Sequence, residues 1–198
     1  MNFPVTLVIP ILNEADSLPE LLAAIKGQTH WPDEVIFCDA GSTDGGLSLI
    51  YEWQSGVSDK IKCRILSIPG ALPGGGRNAG VSGASNRWIA FLDGGVVPSN
   101  DWLEQLCRHA LASQSPAVFG VCHFVAKTPF KNAVCALSYG QGALQPALPG
   151  SLFDRQVFDE IGGFPEHLRA AEDLVWMSAL SDRFGPKEVC PAARVTYM

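Results

Sequence analysis

Short apolar runs alternate with helical segments along the first 112 residues, and this alternation constrains the fold more than any other feature. The apolar runs lie at residues 5–10, 34–39, 62–68 and 88–93. Between the first two, Leu18, Leu21, Leu22 and Ile25 recur at helical spacing in a segment that Gly27 ends. Strands that alternate with helices are typical of a parallel sheet with helices on its faces. The pattern therefore predicts an α/β fold with three layers and a mostly parallel central sheet.

The second half of the chain gives weaker signals. It predicts a strand at residues 117–124, a small helix near residues 155–161, a last helix from about Ala171 to Gly185, and an extended stretch from Val189 to Tyr197. From Asn132 to Phe153 no side chain is charged, yet Gly, Pro, Gln and Ser interrupt the segment. We interpret it as a buried connector or an apolar lip around a site, and not as a membrane span, which needs roughly 20 apolar residues.

Composition excludes several classes of protein. The net charge is −6, from 20 acids against 14 bases, and no basic run is present, so we expect no nucleic-acid partner. The six cysteines are scattered without a Cys-x-x-Cys pair, which indicates reduced thiols and not disulfides or a zinc site. We therefore predict a cytoplasmic protein without a signal peptide, folded as one domain over residues 1–198.

Two of the predicted strands end in a carboxylate. Asp39 is followed by Ala40-Gly41-Ser42, and Asp93 is followed by Gly94-Gly95. A strand that runs into an Asp-Gly turn explains either one alone. Two apolar strands that both end in Asp are harder to explain by packing, because a carboxylate at a sheet end must be solvated or bound. Since ligands bind beyond the carboxyl ends of strands in open α/β sheets, we expect Asp39 and Asp93 at a binding site.

A glycine-rich stretch, residues 73–80, contains three consecutive glycines and Arg77. Free backbone amides before a short helix favour anions, so the stretch resembles a phosphate cradle to which Arg77 adds a fixed positive charge. A flexible connector explains it equally well. It is not a Walker loop, because no Gly-Lys-Ser/Thr follows.

Glu172 and Asp173 open the last predicted helix, about 100° apart around its axis. The apolar stripe formed by Leu174, Met177, Leu180 and Phe184 places Asp173 on the buried side and Glu172 away from it. Stabilisation by the helix dipole explains an acid in a first turn but favours the exposed face. We therefore interpret Asp173 as a general base at the edge of a cleft. His123 is interpreted as an ordinary strand histidine.

Several segments of the chain together resemble one family. They are Val8–Glu14, Asp39–Gly45, Arg77–Gly80, Phe91–Asp93, Gly162–Glu166 and Glu172-Asp173. In order and spacing they resemble family 2 glycosyltransferases, which have the Rossmann-like GT-A fold. The resemblance covers almost the whole chain and does not specify a sugar. It implies a nucleotide-binding half over residues 1–100 and an acceptor and catalytic half over residues 101–198.

The resemblance also implies roles for single residues. Three residues, Pro10, Asn13 and Glu14, would border the nucleotide pocket. Asp39 would bind the base, usually uracil, with Gly41 in the loop beside it. Arg77 and Asp93 would lie by the diphosphate, Asp93 would also hold the metal, and Asp173 would be the catalytic base. The implied reaction is an inverting transfer of a sugar from a nucleoside-diphosphate sugar to an acceptor hydroxyl. The acceptor would be a carbohydrate or a lipid-linked molecule, in polysaccharide, glycolipid or cell-envelope synthesis. The uncharged segment suggests, as a hypothesis, contact with the inner face of a membrane.

The chain departs from the family pattern at the metal. Gly95 stands where the second acid of the Asp-x-Asp motif is expected, and no histidine follows the last extended stretch. One carboxylate makes a weak Mg²⁺ or Mn²⁺ site, because these ions take several oxygen ligands. Three explanations remain open: a weakly held metal, metal-independent catalysis, or a nucleotide-sugar-binding protein without turnover. A sugar-1-phosphate nucleotidyltransferase would need a Gly-rich basic loop where Asn13 and Glu14 stand.

Overall fold

The computed structural model of the chain describes residues 3–124 and 144–197. The strands are β1 Val5–Ile11, β2 Glu34–Asp39, β3 Lys62–Ser67, β4 Trp88–Phe91, β5 Val96–Pro98, β6 Ala117–Phe124, β7 Gln145–Pro146, β8 Leu152–Asp154 and β9 Glu188–Tyr197. The helices, numbered along the described residues, are α1 Leu18–Lys26, α2 Gly46–Ser55, α3 Pro73–Gly83, α4 Trp102–Ser113, α5 Arg155–Ile161 and α6 Glu172–Phe184. The longer elements predicted from the sequence are confirmed.

One sheet runs through the whole domain in the order β3-β2-β1-β4-β8-β6-β9-β5, with β7 paired to β6. The first four strands in this order are parallel to one another, as the alternation of strands and helices predicts. β8 lies antiparallel between β4 and β6, while β9 is parallel to β6. The carboxyl ends of β1, β2 and β4 therefore meet at one edge, and the second half of the chain adds strands beside them.

Helices cover both faces of this sheet, so the three-layer α/β prediction is confirmed. β1 shows the division, because Leu7 and Ile9 face one apolar cluster while Val8 faces the other. The first cluster contains buried side chains of α1, α2 and α4. The second contains buried side chains of α3, α5 and α6. This alternation is what a strand in a sheet covered on both sides requires.

The glycine-rich stretch lies inside helix α3, so it is neither a flexible connector nor a loop before a helix, while its contact with a phosphate stays a prediction. A Cβ atom on Gly80 would lie 2.2 Å from Cγ1 of Val8, and one on Gly74 would lie 2.5 Å from the carbonyl oxygen of Pro165. These glycines let α3 approach β1 and the chain before α6 more closely than any larger residue would. Glycine is an unfavourable helix residue, by about 1 kcal/mol relative to alanine, and close packing accounts for its use here.

The described cysteines are reduced, as predicted from the sequence. Five of them are free and buried: Cys38, Cys63, Cys107, Cys122 and Cys190. Cys135 lies outside the described residues.

Over residues 3–124 and 144–197, no helix has both the length and the apolar character needed to cross a membrane. Of the uncharged segment, residues 132–143 also lie outside the described part.

Candidate active site

Two adjoining cavities lie beyond the carboxyl ends of β1, β2 and β4. The smaller cavity, of about 200 Å³, is bordered mainly by the loops after β1 and β2 and by the first turn of α3. The larger cavity, of about 740 Å³, is bordered by the first turn of α6 and by β7. Four residues line both cavities: Pro73, Arg77, Asp93 and Tyr197. The two cavities therefore form one cleft with a shared wall.

The loops after β1 and β2 shape the smaller cavity. Pro10 and Glu14 line it, as do Cys38 and Ala40 on either side of Asp39. The Asp39 side chain is buried and accepts a hydrogen bond from the amide of Ser42 at 3.0 Å. Asp39 thus fixes the loop beside the cavity, and its own carboxylate is not among the lining groups.

Asn13 and Gly41 also act on these loops. The side-chain oxygen of Asn13 accepts from the amide of Thr43 at 2.9 Å, and the Asn13 amide donates to the hydroxyl of Ser42 at 2.9 Å. Both Asn13 and Gly41 have positive φ angles, 56° and 105°. Asn13 ties the two loops together in a conformation that asparagine tolerates better than most residues.

Arg77 forms the centre of the cleft. Its guanidinium donates to Oε1 of Glu172 at 2.5 Å and to Oδ1 of Asp93 at 2.8 Å. Burial alone lowers the pKa of Arg77, but the charge and hydrogen bonds of Asp93 and Glu172 outweigh it and raise that pKa. Arg77 therefore remains a fixed cation between a residue that follows β4 and a residue that opens α6.

The orientation of Glu172 corrects the sequence interpretation of the last helix. Glu172 is buried and faces Arg77, whereas Leu174 is 62% exposed. The interpretation was wrong because it left out Trp176, which is buried and lies four residues after Glu172 on the same face. The ion pair with Arg77 directs the first turn inward.

Asp173 is half-buried and lines the larger cavity together with Asp93. Two of the three predicted acids, Asp93 and Asp173, thus meet in one cleft, whereas Asp39 lies next to it without lining it. Sequence reasoning missed Glu172, Arg169 and Tyr197 as lining residues of this cleft. The four-residue spacing of Glu172 and Trp176 is the one sequence signal that predicts Glu172 on the buried face.

The described residues do not fit a protein-built site for Mg²⁺ or Mn²⁺. Nowhere in residues 3–124 and 144–197 do three or more His, Cys, Asp or Glu side chains gather in a way that could hold a metal ion. One oxygen of Asp93 already accepts from Arg77, and Gly95 contributes no ligand. Because a divalent ion needs several oxygen ligands, these side chains alone do not supply its coordination.

A family model for "Glycosyl transferase family 2" matches residues 6–170, a range that includes both loops of the smaller cavity, Arg77 and Asp93. The chain belongs to glycosyl transferase family 2. The GT-A fold expected from the sequence is confirmed by solved structures with the same architecture. TarS of S. aureus, residues 1–349 in complex with UDP-GlcNAc, has a TM-score of 0.78 at 18% identity and covers 98% of this chain and 58% of its own.

Two curated glycosyltransferases and a second solved structure also resemble the chain. The glycosyltransferase AglE of Haloferax volcanii is 27% identical over 190 residues, covering 90% of this chain and 61% of its own length. The O-antigen chain rhamnosyltransferase RfbN of Salmonella typhimurium is 27% identical over 193 residues, covering 86% and 58%. The mannosyltransferase PcManGT of Pyrobaculum calidifontis, in complex with GDP-Man and Mn²⁺, has a TM-score of 0.70 at 20% identity, covering 98% and 57%. The chain thus spans about three fifths of the length of these relatives.

Proposed function

We propose that the chain transfers a sugar, with inversion, from a nucleoside-diphosphate sugar to the hydroxyl group of an acceptor. One observation carries this proposal. Arg77 bridges Asp93 and Glu172, and the residue after Glu172, Asp173, lines the same cavity as Asp93. This arrangement brings a fixed cation and a solvent-accessible carboxylate to one cleft. A group-transfer reaction that releases an anion and removes a proton needs both.

We place the donor in the smaller cavity. It lies beyond the ends of β1 and β2, where open α/β sheets bind nucleotides, and its loops are fixed by Asp39 and Asn13. The complexes of TarS with UDP-GlcNAc and with UDP support a uridine nucleotide as the donor class. In this placement Pro10, Glu14 and Gly41 border the nucleotide, Asp39 lies by the base, and Asp93 lies at the passage to the larger cavity.

The acceptor then occupies the larger cavity, with Asp173 as the general base. Asp173 takes the proton from the acceptor hydroxyl as that oxygen forms a bond to the anomeric carbon. The bond from this carbon to the diphosphate oxygen breaks on the opposite face, and the diphosphate leaves with the electron pair. One displacement of this kind inverts the configuration at the anomeric carbon.

Arg77 is the cation that we assign to the departing diphosphate. It lines both cavities, so it lies where the leaving group would separate from the sugar. Its two carboxylate partners keep the guanidinium in place before the donor binds, which limits the reorganisation needed during reaction. No step of this scheme passes through a metal ion.

The names of two relatives bear on the class of acceptor. RfbN is named as an O-antigen chain rhamnosyltransferase, and another relative as a poly(ribitol-phosphate) beta-glucosyltransferase. These names support an acceptor in polysaccharide, glycolipid or cell-envelope synthesis. We place this reaction in the cytoplasm, near the inner face of a membrane, which fits acceptors of that class.

The second candidate function is binding of a nucleotide sugar without turnover. Gly95 is the observation in its favour, because it removes a metal ligand that the family pattern supplies. A panel of nucleotide sugars, tested by calorimetry with and without Mn²⁺ and then for donor hydrolysis, separates the two functions. Binding of a donor without hydrolysis or transfer to any acceptor would support the second.

The substitution Asp173→Asn tests the proposed role of the base. It should lower transfer by about a hundredfold or more, because a general base typically contributes a factor of 10² to 10⁴. Binding of UDP should be unchanged, since Asp173 does not line the smaller cavity. Asp182→Asn, at an exposed position on the same helix, is the matched control. Full turnover by the Asp173 variant would remove this residue from the mechanism.

A further inference from the structure

Some of the charged side chains that line the larger cavity form ion pairs with one another, and others do not. Arg77 and two carboxylates, Asp93 and Glu172, form one ion-pair network with a net charge of −1. The remaining charged side chains among the described lining residues are Asp173 and Arg169. Among the described residues, one anion and one cation are therefore left facing this space.

Arg169 has no hydrogen-bond or ion-pair partner within the described part of the chain, and it is exposed. It lies four residues before Asp173, in the segment that leads into α6. It lines the larger cavity and is absent from the lining of the smaller one. An unpaired guanidinium at this position is free to meet a ligand that reaches Asp173.

The proposed donor does not account for Arg169. We assign the departing diphosphate to Arg77, which lines both cavities, whereas Arg169 shares its cavity with the proposed base. A guanidinium pairs strongly with the planar or tetrahedral arrangement of oxygens in a carboxylate or phosphate group. Because Arg169 lies in the cavity assigned to the acceptor, the carboxylate or phosphate that pairs with it would belong to the acceptor.

We propose that Arg169 is a specificity-determining residue that selects acceptors carrying an anionic group, a phosphate or a carboxylate, near the reacting hydroxyl. The inference rests on the proposed function, because that function defines which cavity takes the acceptor. The acceptor places its hydroxyl at Asp173 and its anion at Arg169. Arg77 is already paired with Asp93 and Glu172, whereas Arg169 has no such partner among the described residues.

The test compares three sugars that differ in one group: glucose, glucose 6-phosphate and glucuronate. Each is titrated by NMR into protein saturated with UDP and into protein without UDP. We expect the phosphate or the carboxylate sugar to bind about tenfold more tightly than glucose, a preference typical of one charge-assisted pair. Comparing the affinities of glucose 6-phosphate and glucuronate distinguishes a site for phosphate from a site for carboxylate.

Three variants identify the residue responsible. Arg169→Ala should abolish the preference for the anionic sugars and leave binding of UDP unchanged, while Arg169→Lys should retain part of the preference. Arg194→Ala removes the same charge from an exposed position outside both cavities and should leave the preference intact. The preference should also weaken as salt is added, because the site is exposed.

The outcomes separate this inference from the proposed function. Equal binding of all three sugars to the wild type, or an equal preference in Arg169→Ala, overturns the role of Arg169. A loss of UDP binding in Arg169→Ala also overturns it, because Arg169 would then serve the donor. Failure of the wild type to bind UDP or to hydrolyse any donor contradicts the proposed function instead, and the titration without UDP still reports on Arg169.

Discussion

The guanidinium of Arg77 on α3 donates to the carboxylate of Glu172 on α6 at 2.5 Å, across 95 residues of sequence. Both side chains are buried, with 5% and 6% of their surface exposed. This ion pair fastens the helix that opens with the proposed base to the helix that borders the proposed donor site. The contact thus joins two helices that lie far apart in the sequence.

Replacing Glu172 with Gln should therefore affect both catalysis and stability. The variant leaves Arg77 paired with Asp93 only, so we expect a loss of about 1–3 kcal/mol in the free energy of unfolding. The turnover number should fall because the first turn of α6 is less firmly held, while the Kd for UDP should change little. Urea unfolding, steady-state kinetics and calorimetry measure the three quantities.

The matched control for that experiment is Glu160→Gln. Glu160 pairs with Arg183 at the surface, where an ion pair contributes at most about 1 kcal/mol. The control should change neither turnover nor UDP binding. Equal effects of the two substitutions would show that the buried pair has no special role.

The close approach of α3 to β1 gives a second prediction, at Gly80. A Cβ atom there would overlap Val8, so Gly80→Ala should destabilise the fold by about 1–3 kcal/mol, the usual cost of overpacking a core. Gly75 lies in the same helix, and a Cβ atom on it would have only an ordinary contact of 3.8 Å with Ala71. Gly75→Ala should stabilise by about 0.5–1 kcal/mol, since alanine is the better helix residue. Thermal unfolding of both variants tests the contrast, and destabilisation of equal size would contradict it.

The strand and helix pattern was predictable from the sequence because each long element carries its own periodicity. β1, β2, β3 and the helices between them lie within a few residues of their predicted bounds. β5, β7 and β8 were not predicted, because strands of two or three residues have no detectable period. Their positions depend on pairing with distant strands, which local sequence does not encode.

The sequence predicted the position of Asp93 in the candidate site, but it did not predict that Arg77 pairs with Glu172. Asp93 follows an apolar strand, and this signal is local. Glu172 faces inward because of Arg77, which lies 95 residues earlier, so a helical wheel alone assigned the wrong acid to the buried face. The glycines of α3 show the same limit, because their packing against Val8 and Pro165 is a tertiary contact.

Glu34, at the opposite edge of the sheet from the cleft, predicts how stability depends on pH. Burial alone raises its pKa, but hydrogen bonds from Ser85, Thr6 and Lys62 outweigh burial and hold that pKa below its ordinary value. The stabilisation from Glu34 is therefore complete above its unfolded pKa, about 4.3, and is lost as the pH falls through the lower folded pKa.

The variant Glu34→Gln should lose about 1–3 kcal/mol in the free energy of unfolding at pH 7, as expected when one partner of a buried polar network changes. The difference from the wild type should shrink as the pH is lowered below about 4. Urea unfolding at several pH values measures this. Glu52→Gln, at an exposed position, should show no such dependence, and a constant difference for Glu34→Gln would contradict the assignment.

Gly95 gives the last prediction, which concerns the metal. A Cβ atom at this position would lie 3.9 Å from the ring of Tyr197, an ordinary contact, so a side chain fits there. Gly94, in contrast, would place a Cβ atom 2.6 Å from the Glu14 side chain and does not accept one. Gly95→Asp therefore adds a second carboxylate two residues from Asp93 without displacing the chain. Two carboxylates with the phosphate oxygens of a bound nucleotide approach the oxygen ligand set that Mn²⁺ and Mg²⁺ prefer.

We expect Mn²⁺ to tighten binding of UDP at least about tenfold more in Gly95→Asp than in the wild type, because the added carboxylate supplies one further ligand to the ion. Gly95→Asn has nearly the same shape without the charge and should behave as the wild type. Calorimetric titration of UDP with Mn²⁺ and with EDTA measures the dependence for all three proteins. An equally strong dependence in the wild type would show that Asp93 and the nucleotide already hold the ion, and that the charge of Arg77 is not sufficient at the diphosphate.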